Sequence, residues 1–278
     1  MILRATSIAG GAMDRRIGFI GAGRIVEVML KAIGPTLGFA NIVVWNRTRA
    51  RADKLAAEFG IKVADNLAEL AEGCDWLLLA VKPHAVAEVL QALAPHVHED
   101  RVLVSMAAGV RTDKIKGYFP KPPRILRIMP NLPMSVGIGM TAVCADAAVS
   151  PALLEEVRSL FAVAGRASLV EERLFDTVTA LSGSGPAFAF LFIESLADGA
   201  VLNGMGRELA YEFAAQTVLG AARIILDSDK HPGELKDIVA SPAGTTMAGI
   251  HSLERNAFRS IVMDAVDAAA KRSRELAH

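Results

Sequence analysis

The chain has 278 residues, of which 52% are hydrophobic, and it carries 30 basic and 30 acidic side chains. The hydrophobic share excludes wholesale disorder, and the length allows one large domain or two modest ones. Because a nucleic-acid partner would leave a basic surplus, the charge balance argues against one. Cys74 and Cys144 lie in apolar, strand-like runs, so we expect buried free thiols and a reducing, cytoplasmic location.

Neither a membrane span nor a secretory signal is expected. The most apolar run, at 187–193, soon meets Glu194 and Asp198 and is too short to cross a bilayer. Residues 1–15 are small and weakly polar and lack the apolar core of a signal peptide. We therefore predict a disordered extension at 1–15.

A strand, a glycine turn and a helix follow one another near the start of the chain. Ile17 to Ile20 is typical of a buried strand, Gly21-Ala22-Gly23 is a sharp turn, and an apolar helical pattern follows from Val26. Such a turn leaves free N–H groups at the positive end of the helix, where a pyrophosphate can dock. A plain strand–helix turn is the alternative, because Val26 replaces the small third residue of the usual fingerprint.

The next strand, Asn41 to Trp45, ends in Asn46-Arg47-Thr48. An NAD-binding unit would place a carboxylate about 20 residues past the glycines to hold the ribose 2′-hydroxyl. Here that place has an arginine flanked by small hydrogen-bonding side chains, which favours the 2′-phosphate of NADP over NAD. A solvated basic turn is the other interpretation.

The rest of the chain divides into two patterns. Further strands are predicted at 61–64, 74–81, 101–106 and 124–129, with helices between them, an edge strand at 137–145 and a helix at 151–162. This alternation predicts an α/β, doubly wound, mostly parallel sheet, whose carboxyl edge holds Lys82 after the 74–81 strand. Helical periodicity then covers 187–202, 207–226, 232–240, 247–253 and 258–276. We predict a dinucleotide-binding domain at 16–165 and a helical dimerisation and substrate domain at 166–278.

The first long helix of the second half, Phe188 to Leu202, is apolar nearly all round. Such a helix must be buried on every side. A helical domain of about a hundred residues rarely encloses one alone, so we expect a second copy of the chain to cover it.

Several short motifs occur in one order and together resemble the pyrroline-5-carboxylate reductase family. They are Gly18-Phe-Ile-Gly-Ala-Gly23, Ala80-Val-Lys-Pro83, Ala107-Ala-Gly109, Leu181-Ser-Gly-Ser-Gly-Pro-Ala187, Leu196-Ala-Asp-Gly199, Leu235-Lys-Asp237 and Ser241-Pro-Ala-Gly-Thr-Thr246. The resemblance implies a Rossmann-like domain followed by an all-α dimerisation domain. It also implies NADPH-dependent reduction of 1-pyrroline-5-carboxylate to proline, the last step of proline biosynthesis.

The resemblance also implies site residues. The cofactor would contact Ile20, Gly21, Ala22, Gly23, Arg24, Ile25, Asn46, Arg47, Thr48, Asn66, Ala80, Val81, Lys82, Pro83, Met106, Ala107 and Ala108. The substrate would contact Val239, Ser241, Gly244, Thr245 and Thr246, on a loop that the other subunit supplies at the dimer interface. Ala243 departs from the family's glycine at its position, and alanine does not easily adopt a positive φ.

The chemistry of a cyclic imine carboxylate points to the same loop. Gly244-Thr245-Thr246 leads into a helix, whose free amides can hold the carboxylate, and the Thr246 hydroxyl would then reach the ring nitrogen as the catalytic group. A protonated imine is already electrophilic, so positioning would dominate catalysis. The alternative is that Thr245 and Thr246 serve as a helix cap.

Competing functions remain open at this point. A β-hydroxyacid dehydrogenase would need a lysine on the first long helix of the second domain, yet Lys230 is the only lysine between residues 181 and 235. Another imine reductase, or a non-catalytic NADP-binding regulator, would share the fold. The ring size of the substrate is also open, because one methylene changes binding by only about 1–3 kcal/mol.

Two local motifs favour a structural interpretation. Ser182-Gly-Ser-Gly resembles a serine nucleophile elbow loosely, and a tight turn with Pro186 at the first helical position explains it better. His96 and His98 lack further ligands nearby, so we expect no metal site.

Overall fold

The computed structural model describes residues 15–276. The extension predicted at 1–15 therefore lies outside the described residues, apart from Arg15. Within them the chain forms two compact units, one containing 15–184 together with 269–276, and one containing 185–268.

The first unit is built on one eight-stranded sheet. Its strands are β1 (Ile17–Ile20), β2 (Ile42–Trp45), β3 (Lys62–Val63), β4 (Trp76–Leu79), β5 (Val102–Ser105), β6 (Arg124–Met129), β7 (Gly139–Ala145) and β8 (Gly165–Leu169). Their spatial order is β3-β2-β1-β4-β5-β6-β7-β8, and every neighbouring pair is parallel except β6 with β7. The predicted doubly wound, mostly parallel sheet is confirmed.

Helices cover both faces of this sheet. They are α1 (Arg24–Leu37), α2 (Arg49–Phe59), α3 (Leu67–Gly73), α4 (Val86–Leu93), α5 (Thr112–Lys116), α6 (Pro151–Ala162) and α7 (Phe175–Val178). Successive side chains of a strand point to opposite faces. Phe19 accordingly packs in the cluster with α1, α2 and α6, whereas Ile20 packs in the cluster with α3, α4 and α5. The core is therefore two apolar layers, one on each side of the sheet.

The far edge of the sheet differs from the sequence-based expectation. The strand predicted at 137–145 is not an edge strand, because β7 pairs with β6 on one side and with β8 on the other. The edge is β8, which crosses the predicted domain boundary between residues 165 and 166. The sequence does not predict this short strand, because Arg166 and Leu169 are exposed and the segment has little apolar pattern.

The turn predicted before Pro186 is also wrong. Residues Thr179–Ser184 form a π-helix, and a helix begins directly at Gly185. The Thr179 hydroxyl donates to the carbonyl of Phe175 at 2.7 Å. A π-type turn loosens the regular hydrogen-bond ladder, which lets the helical path continue through a proline.

A buried ion pair links β6 to the segment that follows β8. Arg127 is 2% exposed, and its guanidinium donates to the Glu172 carboxylate at 3.0 Å and lies over the Phe175 ring at 4.6 Å. The same carboxylate accepts hydrogen bonds from the backbone N–H and the hydroxyl of Thr112, at 2.7 and 2.8 Å. The Glu172 carboxylate, which is 19% exposed, thus accepts from three donors and balances the buried charge of Arg127.

The two cysteines are buried and free, as predicted. Burial raises the pKa of the Cys74 thiol to about 11 and that of the Cys144 thiol to about 12. Both therefore remain protonated at neutral pH.

The second unit is helical. It contains α8 (Gly185–Leu202), α9 (Arg207–Asp227), α10 (Pro232–Val239), α11 (Thr245–Arg255) and most of α12 (Phe258–Glu275), whose residues from 269 onward belong to the first unit. A small cluster of alanines, Ala197, Ala210 and Ala214, is buried between α8 and α9. Large apolar side chains stay exposed, including Phe190 at 56% and Leu202 at 88%.

Two stretches of this chain, Glu172–Leu202 and Arg207–Asp227, are long and apolar enough to cross a membrane by length and composition. One or two such helices are weak evidence for a membrane span, so the expectation that the chain has none stays a prediction. The first stretch is longer than the apolar run at 187–193 because the helical path continues through the predicted turn.

Candidate cofactor and substrate sites

A cleft of about 780 Å³ opens at the carboxyl edge of the sheet in the first unit. This size suits a small organic ligand, and ligands of open α/β sheets bind at this edge. Of the residues expected to contact a cofactor, those that line the cleft are Gly21, Ala22, Gly23, Arg24, Ile25, Asn46, Arg47, Ala80, Val81, Lys82, Pro83, Met106 and Ala108.

The glycine turn between β1 and α1 has the shape of an anion cradle. Gly21 has a φ of +116°, and a Cβ there would lie 2.6 Å from the carbonyl oxygen of Ala80, so no other residue fits. Gly23 begins α1 without a side-chain cap, and a Cβ added there would meet nothing within 4 Å. The amides of Arg24 and Ile25 precede the first intrahelical bonds and remain free for a ligand. A pyrophosphate fits this cradle.

Val26 does not disturb the cradle. Its side chain is fully buried in the core layer formed with α1, α2 and α6. Its backbone N–H bonds to the Gly23 carbonyl at 3.1 Å, in the first turn of the helix. The departure from a small residue is thus absorbed by the core and not by the cleft.

The turn after β2 is tied to this cradle and carries positive charge. The Asn46 amide oxygen accepts from the backbone N–H of Ala22 at 3.1 Å, and its nitrogen donates to the Thr48 carbonyl at 2.8 Å. Arg47 is exposed and pairs with Glu88 at 3.4 Å. Arg51, the third residue of α2, also lines the cleft. Its place in the first turn of α2, directly after the basic turn, could have revealed it from sequence.

Four residues expected at the cofactor do not line the cleft: Ile20, Thr48, Asn66 and Ala107. Ile20 and Ala107 are buried, and Thr48 precedes the first residue of α2. The Asn66 amide oxygen accepts from the backbone N–H of Glu69 at 2.9 Å, while the Glu69 carboxylate accepts from the N–H of Asp65 at 2.6 Å. Asn66 is thus the N-cap of α3, and Glu69 adds a bond to the residue before the cap, so Asn66 serves the start of α3.

The sequence does not predict the residues at the opposite end of the cleft. This end is lined by Pro130, Asn131 and Leu132, which follow β6, and by Gly183 of the π-helix. Asn131 is 8% exposed, and its amide oxygen accepts from the backbone N–H of Met140 at 2.9 Å. The signal in the sequence was a polar residue two positions after a buried parallel strand, at the edge where ligands bind.

The loop before α11 lies in the second unit. Ala243 adopts a φ of +57° despite its side chain, so the left-handed geometry expected of glycine is kept. Gly244 donates its N–H to the Ser241 carbonyl at 3.1 Å, and a Cβ there would lie 2.3 Å from the Ser241 hydroxyl. Val239, at the end of α10, is exposed.

Thr245 and Thr246 are the first two residues of α11, and Gly244 precedes them without a side-chain cap. Capping by either threonine hydroxyl, the alternative suggested by the sequence, is therefore not observed. Within residues 15–276, no side chain or backbone group bonds to the Thr246 hydroxyl, which is half-buried. The amides of this first turn also lack intrahelical acceptors, so an anion and a hydroxyl contact are both available here.

Across the described residues, no group of three or more His, Cys, Asp or Glu side chains is placed to hold a metal ion. The cleft is instead lined by four basic side chains, Arg24, Arg47, Arg51 and Lys82, together with His84 and one carboxylate, Glu88.

Two family models match the chain. Residues 172–276 match the pyrroline-5-carboxylate reductase dimerisation model, and residues 16–109 match the model described as NADP oxidoreductase coenzyme F420-dependent. The pyrroline-5-carboxylate reductase of Synechocystis is 42% identical, with 95% of this chain and 99% of the relative covered. The enzyme of Escherichia coli is 38% identical over the same shares of each chain.

Solved structures agree with these relatives. The Plasmodium falciparum pyrroline carboxylate reductase with NADP bound is 31% identical and superposes with a TM-score of 0.88, covering 96% of this chain and all of that one. The Coxiella burnetii enzyme is 33% identical, with a TM-score of 0.85 and coverage of 95% and 99%. The chain therefore belongs to the pyrroline-5-carboxylate reductase family, oxidoreductases that reduce 1-pyrroline-5-carboxylate to proline with a nicotinamide cofactor.

Proposed function

We propose that this reductase binds NADPH in preference to NADH, in the cleft of its first unit. The observation that carries the proposal is the cradle of Gly21 and Gly23 beside a β2 turn that supplies a guanidinium and no carboxylate. The cradle would hold the pyrophosphate, and Arg47 with Arg51 would hold the 2′-phosphate. When bound, NADPH supplies the hydride that reduces the imine carbon.

We further propose that the Ser241–Thr246 loop binds the substrate. The free amides at the start of α11 suit its carboxylate, and the unpartnered hydroxyl of Thr246 suits the ring nitrogen. The protonated imine needs no strong acid, so the residues of the loop would act by orientation and by one hydrogen bond in the transition state. Neither α8 nor α9 carries a lysine for an alcohol substrate, which favours an imine over a hydroxyacid.

The assembly we propose is an obligate homodimer in the cytoplasm, in which the partner's loop serves the site. The exposed apolar side chains of α8 and α9 would then be an interface and not a membrane span. Light scattering across a dilution series tests this. A stable monomer at low micromolar concentration with unchanged helicity would contradict it, as would recovery of the protein in the membrane fraction.

Replacing Arg47 by alanine tests the cofactor preference. We expect NADPH to bind about tenfold more weakly, a loss of about 1.5 kcal/mol. This lies at the low end for a charged hydrogen bond because Arg47 is exposed and already paired with Glu88. NADH binding should not change, since it lacks the phosphate.

Arg49 provides the matched control. It pairs with Asp53 at 3.0 Å and with Asp65 at 2.6 Å and does not line the cleft, so Arg49→Ala should leave both cofactors unaffected. Equal weakening of NADPH and NADH by Arg47→Ala would show that Arg47 acts through the fold and refute the assignment.

The substrate is tested by following NADPH consumption with pyrroline-5-carboxylate, piperideine carboxylates and hydroxyacids in parallel. Turnover of pyrroline-5-carboxylate well above that of the six-membered rings would show that the pocket selects a five-membered ring, a selection that depends on pocket shape. Binding of NADPH without turnover of any substrate would favour the non-catalytic regulator.

A further inference from the structure

We propose that Asn131 is a positioning residue for hydride transfer, whose amide N–H donates to the carboxamide oxygen of the nicotinamide. The inference rests on the proposed binding of NADPH in the cleft. It concerns the end of the cleft that no sequence motif identified, where the segment after β6 meets Gly183.

The orientation of the Asn131 amide is fixed by its surroundings. A backbone N–H, that of Met140, approaches the side chain at 2.9 Å, and a backbone N–H bonds only to an acceptor. The atom facing Met140 is therefore the amide oxygen, and the amide nitrogen points elsewhere with two donors. Met134 donates its N–H to the Asn131 carbonyl at 3.2 Å, which holds the backbone as well.

The amide nitrogen has no acceptor within residues 15–276, although the residue is 8% exposed. The nitrogen is not fully sealed from solvent. Since Asn131 lines the cleft, its two donors are left for a ligand there. Solvent reaches this nitrogen through the cleft, so a ligand acceptor would take the place of water there.

The order of the strands places Asn131 at the nicotinamide half of the cofactor. The pyrophosphate cradle follows β1 and the basic turn follows β2, whereas β4, β5 and β6 lie on the other side of β1. A dinucleotide spans the carboxyl edge across this switch point, so the half beyond the pyrophosphate runs toward β6.

The chemistry of that end favours a neutral planar acceptor. The cleft-lining residues there are Met106, Ala108, Pro130, Asn131, Leu132 and Gly183, and Asn131 alone among them carries a polar side chain. An apolar wall with one oriented donor suits an aromatic ring that bears a carbonyl. A fixed ring would present one face to the substrate, which is how orientation lowers the barrier.

The test is the binding of non-reacting ligands to Asn131→Asp and to the wild-type dimer, by calorimetry. Aspartate keeps an oxygen for Met140 and removes both donors. We expect NADP⁺ to bind at least tenfold more weakly and 2′-phospho-ADP-ribose, which lacks the nicotinamide, to bind as to the wild type. An equal loss for both ligands would show a structural role and overturn the proposal.

A second measurement needs no variant. The wild-type protein should bind the 3-acetylpyridine analogue of NADP⁺, which keeps the carbonyl, about as well as NADP⁺, and bind the thionicotinamide analogue several-fold more weakly. Equal affinity for all three would overturn the proposal, as would an unchanged NADP⁺ affinity in Asn131→Asp with a raised KM for pyrroline-5-carboxylate. If wild type failed to bind 2′-phospho-ADP-ribose, the proposed cofactor cleft itself would be wrong and the role of Asn131 with it.

Discussion

Replacing Thr246 by valine tests whether this threonine serves the reaction or only the stability of the reductase. Valine keeps the β-branched shape and removes the hydroxyl. Because that hydroxyl bonds to nothing within residues 15–276 and does not cap α11, no intramolecular hydrogen bond is lost. The free energy of unfolding should therefore change by less than about 0.5 kcal/mol.

The substitution should instead lower kcat/KM for the reaction. A hydrogen bond to the ring nitrogen in the transition state is worth about 1.5–3 kcal/mol, which corresponds to a loss of roughly 10- to 100-fold in kcat/KM. NADPH affinity should stay the same, since the proposed cofactor contacts lie on residues of the first unit.

The assay is steady-state kinetics with pyrroline-5-carboxylate, accompanied by a thermal unfolding curve and an NADPH titration for each variant. Thr246→Ser is the matched control, and it should keep most of the activity because its hydroxyl survives. A valine variant as active as wild type would refute the assignment and move the proton contact to Ser241, Thr245 or a bound water. A fall in stability of more than about 1 kcal/mol would show that the hydroxyl serves the helix.

Two further predictions concern stability. Glu172→Ala leaves Arg127 buried without its partner and should lower the free energy of unfolding by about 3–5 kcal/mol. Urea unfolding followed by the fluorescence of the two tryptophans, which both lie in the sheet, measures this change. The control Glu171→Ala breaks an exposed pair and should cost under about 1 kcal/mol; equal effects would show that burial does not matter. Ala243 has a φ of +57°. Ala243→Gly should change the free energy of unfolding by less than about 1 kcal/mol, because the relief of backbone strain offsets the greater entropy of the unfolded chain. Ala243→Val should lower it by about 1–2 kcal/mol, because a β-branched residue fits the left-handed region poorly. Thermal unfolding followed by helical circular dichroism compares the two, and a tolerated valine would contradict the left-handed geometry.

Much of the fold could be predicted because its signals are local. The apolar strand of Ile17–Ile20 and the helix after it need only their own residues to be recognised. The outer strand β8 gives no such signal, because its neighbour β7 supplies the pairing that makes it a strand. The π-helix at Thr179–Ser184 could not be predicted either, because the glycine and serines in it are typical of turns.

The lining of the cleft could be predicted where one backbone segment makes it, but not where distant segments meet. The Gly21 turn could be read from spacing, because its φ of +116° is a local requirement. The position of Asn131 could not, since its proposed role follows from a contact with Met140 and from the strand order. Asn66 does not line the cleft, and its side chain caps α3 locally, so its contact with the cofactor stays a prediction.

The last turns of α12 belong to the first unit although they follow the whole helical unit in sequence. Ala270 is buried, and the Ser273 hydroxyl donates to the Asp176 carboxylate at 2.6 Å, at the start of α7. During synthesis on the ribosome, the nucleotide-binding unit therefore cannot complete its packing until residues 269–276 have emerged. A recombinant fragment that stops at Ser184 would lack this closing contact, and a permuted chain that joins residues 269–276 to the first unit through a short linker would restore it.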